Sequence, residues 1–208
     1  MILPFTATAL FAASLLSTWL LLAPQPSSNS SSTGRWETFA FSGRVPREVW
    51  SKYDWRKLTT LCLVGFHEDD LTRFAQSRGV RVVSISNIEK SRLPDEGFRA
   101  SWIRDVVDDV AARGLNGTNL DFEEDVGRGS AEAEGYTALV RDLAARLHDT
   151  VPGSRLSVDV AWSPDCIDGR CYDYAELGKH ADSLFGKNLR ELNSTGRPEK
   201  ILNRVFSV

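Results

Sequence analysis

Apolar and polar residues along this chain follow two periods in turn. Short, almost wholly apolar runs at 59–65, 80–85 and 156–162 read as strands buried on both faces. The stretch 37–41 (Glu-Thr-Phe-Ala-Phe) is strand-like, 118–122 supplies a fourth strand in chain order, and 183–185 begins a sixth. Helical spacing fills the intervals. A helix over 69–77 stops before Gly79. The next starts at a capping Asp95 and runs to about Arg113 before Gly114, with Phe98, Trp102, Ile103, Val106, Val107 and Val110 on its apolar positions. Ser130 caps a third, which aligns Tyr136, Leu139, Val140, Leu143 and Leu147 and ends near Gly153. A short helix covers 173–180. Strands alternating with helices predict an α/β fold around a parallel sheet, with five units and the start of another. The last stretch, 186–208, is charged, contains Gly196 and Pro198, and does not continue the alternation.

The N-terminus belongs to neither regime. Residues 2–23 contain no charge, and Pro24-Gln25-Pro26 and a Ser-rich run follow. This reads as a signal peptide over 1–24 and a disordered linker over 25–35. The run is also long enough to span a bilayer, so an uncleaved anchor is the alternative. Of the 208 residues, roughly 180 then remain for the fold, fewer than the ~250 of a complete eight-unit β/α barrel. The composition, 42% hydrophobic and 25% charged, is that of a globular protein, and the net charge of −3 gives no basis for nucleic-acid binding. After signal cleavage no membrane contact is expected, and a monomer is expected. Three sequons begin at Asn29, Asn116 and Asn193. Cys166 and Cys171 bracket four residues and suit a small disulfide loop in an oxidising compartment, whereas Cys62 reads as a buried small hydrophobe. His67, His148 and His180 are scattered, so no zinc site is expected.

Chemistry concentrates at 116–125, Asn-Gly-Thr-Asn-Leu-Asp-Phe-Glu-Glu-Asp. On a strand Asn119, Asp121 and Glu123 share one face, and Thr118, Leu120 and Phe122 share the other. In a β/α barrel the apolar set faces the helices and the polar set points inward near the strand's C-terminal end, where such enzymes place their chemistry. Two carboxylates one pleat apart resist simultaneous ionisation, so one is expected to hold its proton, as a general acid must. Glu123, nearest the open end, is the acid candidate. Asp121 is the modulator, and Asn119 is a hydrogen-bonding spacer. Glu124 and Asp125 read as exposed loop acids, and Asp105, Asp108 and Asp109 as a solvated helix face. A divalent-cation site on Asp121, Glu123 and Asp125 is an alternative reading, although no further ligand set is visible.

The run 116–123 resembles the D-G-x-D-x-D-x-E signature of glycoside hydrolase family 18. The stretches 50–55 (Trp-Ser-Lys-Tyr-Asp-Trp), 98–103 (Phe-Arg-Ala-Ser-Trp-Ile), 159–164 (Asp-Val-Ala-Trp-Ser-Pro) and 170–174 resemble the same family in the same order. The resemblance covers about 37–185. It implies a partial (β/α)8 TIM barrel over 36–185, of five to six units with the C-terminal strands missing, and a divergent tail over 186–208. It implies hydrolysis of β-1,4 linkages between N-acetylglucosamine units, as in the chitobiose core of asparagine-linked glycans, with retention and no cofactor. Glu123 would protonate the glycosidic oxygen while the substrate's own 2-acetamido carbonyl attacks the anomeric carbon. Asp121 would steady the resulting oxazolinium ion, and Glu123 would then serve as base. Asn119, Asp159 and Trp162 would bind the sugar, with Trp162 either stacked on it or packed behind the sheet. The resemblance also implies a secretory route, to the lysosome or outside the cell.

The chain departs from the family in two places. Asn116 replaces the signature's leading Asp, which creates a sequon that a folded barrel is expected to bury. Gly186-Lys187-Asn188-Leu189 stands where the family continues with a Tyr- and Asp-bearing segment, and the later strands are absent, as in a truncated chain. Two function classes therefore stay open: a glycosidase, and a catalytically inactive sugar-binding form. In the second, the first and sixth strands would be open edges. A membrane-tethered lumenal protein is a third reading.

Overall fold

A computed structural model describes residues 37–187 and the backbone of 204–207. The described residues fall within one folding unit, Trp36–Val208. The leader, the Ser-rich linker and the sequons at Asn29 and Asn193 lie outside them. No helix among the described residues is long and apolar enough to cross a membrane.

Six parallel strands run side by side in chain order: β1 (Phe39–Ser42), β2 (Thr60–Leu63), β3 (Arg81–Ser86), β4 (Gly117–Leu120), β5 (Arg155–Ala161) and β6 (Ser183–Lys187). The helices between them are α1 (Arg47–Trp50), α2 (Asp69–Gln76), α3 (Glu96–Ala112), α4 (Ala131–Thr150) and α5 (Tyr174–His180). The starts of α3, α4 and α5 are set by side chains that accept orphan backbone N–H groups. Asp95 accepts from Phe98, Ser130 from Ala133 and Asp173 from Glu176.

The sheet has two different faces. On the outer one, Leu61, Leu63, Val82, Leu120, Leu156 and Val158 join Leu71, Val107, Leu139 and Leu143 of the helices in one buried apolar cluster. The register carries Phe39, Phe41, Thr60, Cys62, Val83, Ile85, Asn119, Ser157, Asp159 and Phe185 onto the other face. Phe39 and Phe41 are on the first parallel strand and Phe185 on the last, yet their rings lie 5.4 and 5.3 Å from that of Phe185. The sheet therefore curls until side chains of its two ends meet inside it, as in part of a barrel wall. Such ring pairs contribute about 0.5–1.5 kcal/mol each beyond their burial. Cys62 is fully buried in this interior.

The tail departs from expectation. Residues Arg204–Ser207 form a strand, β7, antiparallel to β6, with Ser183 opposite Ser207 and Gly186 opposite Arg204. The edge of β6 is thus covered and not open. Four residues among charged neighbours are too few to show an alternating pattern, but the unpaired N–H and C=O groups of a strand edge recruit such a segment. Deleting 204–208 is expected to expose that edge and make the chain aggregate in proportion to its concentration. Light scattering across a dilution series, beside the full chain, measures this. The fourth strand is also shorter than expected. It ends at Leu120, so Asp121 and Glu123 stand on the segment that leaves the sheet.

Candidate active site

Three devices aim β4. The Asn116 side-chain oxygen accepts from the Val82 N–H and from Gln76 Nε2, both at 2.9 Å, while the Asn116 N–H donates to the Val82 carbonyl at 2.7 Å. That oxygen is all Val82 requires, so Asn can replace the signature's Asp here. The oxygen of the sequon's carboxamide is committed to holding β3 and β4 together, and Asn116 is half-buried, not fully buried as expected. Gly117 has φ 138°, and a Cβ there would lie 1.9 Å from the Arg155 carbonyl oxygen. Only glycine lets β4 come this close to β5. Finally, the Asp121 N–H donates to Ser86 O at 2.8 Å, which extends the β3 pairing one residue past the strand.

The expected alternation survives beyond Leu120. Phe122 is buried on the helix side, its ring 4.7 Å from Tyr136 and 5.8 Å from Tyr172. On the opposite side, carboxylate oxygens of Asp121, Glu123 and Asp159 all lie within 4.8 Å of one another. Asp159 is fully buried, and the other two are half-buried. Beneath them Asn119 is fully buried. Its Nδ2 donates to Asp159 Oδ1 at 3.1 Å, and its Oδ1 accepts from Ser157 Oγ at 2.6 Å. The three-acid group therefore contains Asp159 and not Asp125. Asp125 is exposed and pairs with Lys90 at 3.0 Å, and that ammonium lowers its carboxyl below the usual range. Oxygens this close are also within reach of a single cation.

The loop after β5 docks onto the acid-bearing segment. Cys166 and Cys171 form a disulfide. The Val126 N–H donates to Gly169 O at 3.0 Å, and the Cys171 N–H donates to Val126 O at 3.2 Å. The Tyr172 hydroxyl lies 3.0 Å from the Phe122 carbonyl and 2.8 Å from the Glu124 carbonyl, so it clasps the backbone on both sides of Glu123. The Tyr174 hydroxyl donates to Ala161 O at 2.8 Å. Burial pushes the Tyr172 hydroxyl well up and that of Tyr174 up to about 12, so both remain protonated donors at neutral and acid pH. Arg170 is almost buried, with its NH1 nitrogen 3.6 Å from Glu123 Oε1.

Asn119, Asp121, Glu123 and Asp159 are thus brought together. Trp162 follows β5, is 48% exposed, and so is not packed behind the sheet. Arg170 and Tyr172 were not singled out from the sequence. The signal for them is their position at a small cysteine loop, Arg170 as its last enclosed residue and Tyr172 directly after it, beyond the C-terminal end of a strand, the end where barrel chemistry gathers.

No family model matches the chain. It is 39% identical over 149 residues to the mouse (Mus musculus) di-N-acetylchitobiase, covering 72% of this chain and 40% of that protein. It is 36% identical over 149 residues to the human (Homo sapiens) one, covering 72% and 38%. It is 34% identical over 119 residues to the cattle (Bos taurus) one, covering 57% and 67%. The chain thus spans about 40% of the length of the mouse and human relatives it matches. Among solved structures, the Bacillus megaterium spore cortex-lytic enzyme superposes with TM-score 0.63 at 16% identity, over 79% of this chain and 44% of that one. A GH18 chitinase from Flavobacterium johnsoniae superposes with TM-score 0.54 at 16% identity, over 70% and 52%. These superpositions agree with the curled sheet of six parallel strands as a partial β/α barrel. The order of the matched segments, the barrel wall and the identity to these relatives have one source: the chain belongs to the di-N-acetylchitobiase family.

Proposed function

We propose that the chain is a glycosidase that cleaves β-1,4 linkages between N-acetylglucosamine units, such as the chitobiose core of asparagine-linked glycans, by substrate-assisted retaining catalysis. The observation that carries this reading is the convergence of Asp121, Glu123 and Asp159 at the mouth of the curled sheet, over a hydrogen-bonded Asn119. Glu123 is half-buried at the exit of β4, where a leaving-group oxygen can reach it. It gives its proton to that oxygen as the glycosidic bond breaks. The acetamido carbonyl of the same sugar closes on the anomeric carbon, and Asp121 stabilises the positive charge that spreads over the oxazolinium ring. Glu123, now a carboxylate, takes a proton from water as the water opens that ring, and the original anomeric configuration returns. Asn119 and Asp159 form the polar floor beneath the sugar. Trp162 offers it an exposed aromatic face.

Removing that face is expected to act on binding alone. Trp162→Ala should raise KM about tenfold, the equivalent of ~1.4 kcal/mol, and leave the unfolding midpoint in place. Initial-rate kinetics and a thermal scan of the same preparation check both halves. The reading also takes the chain through the secretory pathway to the lysosome, as a monomer. A disulfide at Cys166–Cys171 supports an oxidising compartment.

The deciding experiment incubates the purified chain with di-N-acetylchitobiose, measures N-acetylglucosamine release, and records cooperative unfolding in parallel. Release that rises in proportion to enzyme supports the reading. A chain that unfolds cooperatively and releases nothing overturns it. The second reading is a sugar-binding form without turnover. Calorimetric binding without release would establish it.

A further inference from the structure

We propose that Arg170 is the positioning residue of Glu123, carried to it by the disulfide-closed loop after β5. This rests on the reading of Glu123 as the acid–base group. A guanidinium is charged at every accessible pH, and burying one is unfavourable unless a carboxylate compensates. The Arg170 side chain is only 10% exposed, and Glu123 Oε1 lies 3.6 Å from its NH1. The surroundings call for a cation. Asp121, just past β4, and Asp159 on β5 crowd Glu123 with carboxylate oxygens. The phenols of Tyr172 and Tyr174 are neutral and close enough for the guanidinium to favour their ionised forms, against the larger effect of their burial.

The loop is built to hold this side chain still. The Arg170 N–H donates to Ile167 O at 3.0 Å, and Arg170 forms an isolated parallel bridge with Val126. Gly169 presses on Asp125, where a Cβ would come within 2.8 Å of the Asp125 Cβ. Tyr172, two residues on, clasps the carbonyls on either side of Glu123. One short segment therefore controls both the backbone that carries the acid and the charge beside its carboxylate. When Glu123 gives up its proton, Arg170 steadies the carboxylate left behind until water returns one. At 3.6 Å the pair is looser than a hydrogen bond. Catalytic contacts often tighten only in the substrate complex.

Two independent measurements test this. The first is kinetic. Arg170→Met should lower kcat about 10²-fold with KM little changed, and Arg170→Lys, which keeps the charge but not the planar fork, should recover part of that loss. A structural role alone would not give this split or this rescue, and an Arg170→Met enzyme with undiminished kcat overturns the proposal. The second needs no turnover. In a double-mutant cycle on urea unfolding, Arg170→Met should cost clearly less stability in the Glu123→Gln background than in the unaltered chain. Equal costs in both backgrounds overturn the pairing. Where Arg170→Met does not fold, the same cycle with Arg170→Lys decides it. If the unaltered chain releases no N-acetylglucosamine, the glycosidase reading fails, and the cycle still tests the Arg170–Glu123 pair.

Discussion

Glu123→Gln is expected to release N-acetylglucosamine from di-N-acetylchitobiose at least ~10²-fold, and up to ~10⁴-fold, more slowly than the unaltered chain. The amide has the shape of the carboxyl but no proton to give, so the glycosidic oxygen must leave as an alkoxide. Binding should survive, because the amide keeps the shape and volume of the carboxyl group it replaces. Calorimetric titration with the disaccharide, beside the rate measurement, separates the two. Asp121→Asn should also slow turnover, since an amide cannot offset the charge on the oxazolinium ring. Near-normal rates in Glu123→Gln would assign the acid elsewhere. Asp159, the third carboxylate of the group, would be the next residue to test, although it is fully buried.

The other large effect concerns stability. Gly117→Ala should destabilise the chain by about 3–5 kcal/mol, which adds backbone strain to overpacking. The new methyl would meet the Arg155 carbonyl oxygen at 1.9 Å and its carbonyl carbon at 2.8 Å. Both are backbone atoms of β5, which cannot rotate away as a side chain can. Relief requires β4 and β5 to separate, and that pulls Asn119 away from Ser157 and Asp159. A fall in the unfolding midpoint of about 10 °C is expected. Gly114→Ala is the control. Its φ is also positive, at 61°, but a Cβ there meets nothing within 4 Å, so about 1 kcal/mol is expected. Equal losses at the two positions would show that the close approach of the strands is not what demands glycine at 117.

Local rules carry much of this fold. Asp95 and Ser130 can be recognised as caps because an oxygen two or three residues ahead of an apolar helical stripe satisfies backbone donors in almost any context. The alternation at 118–123 is legible for the same reason. Pleat geometry assigns faces, and in the structure Phe122 and Glu123 lie on opposite sides even after the ladder has ended. What the sequence hides is set by contacts across the chain. Arg170 is one charged residue among many until the docking of its loop against Val126 brings it to Glu123, 47 positions earlier in the sequence. Tyr172 reads as another aromatic until its hydroxyl is found between two carbonyls some 50 residues away. The sheet partner of β7 is equally remote in kind. Its four residues acquire a conformation only because β6 has an edge to offer.

The contact of Phe39 and Phe41 with Phe185 bears on how the molecule is made. Phe39 and Phe185 are separated by 146 positions (185 − 39), yet their rings touch. Pairings of such range form slowly, because a long loop must be closed before they return any free energy. During synthesis β1 emerges first and waits for β6, and the strands between can pair with their neighbours in the meantime. The curvature that brings the acidic mouth together is therefore among the last features to form, and until it does the rings of Phe39 and Phe41 lack the cover of Phe185.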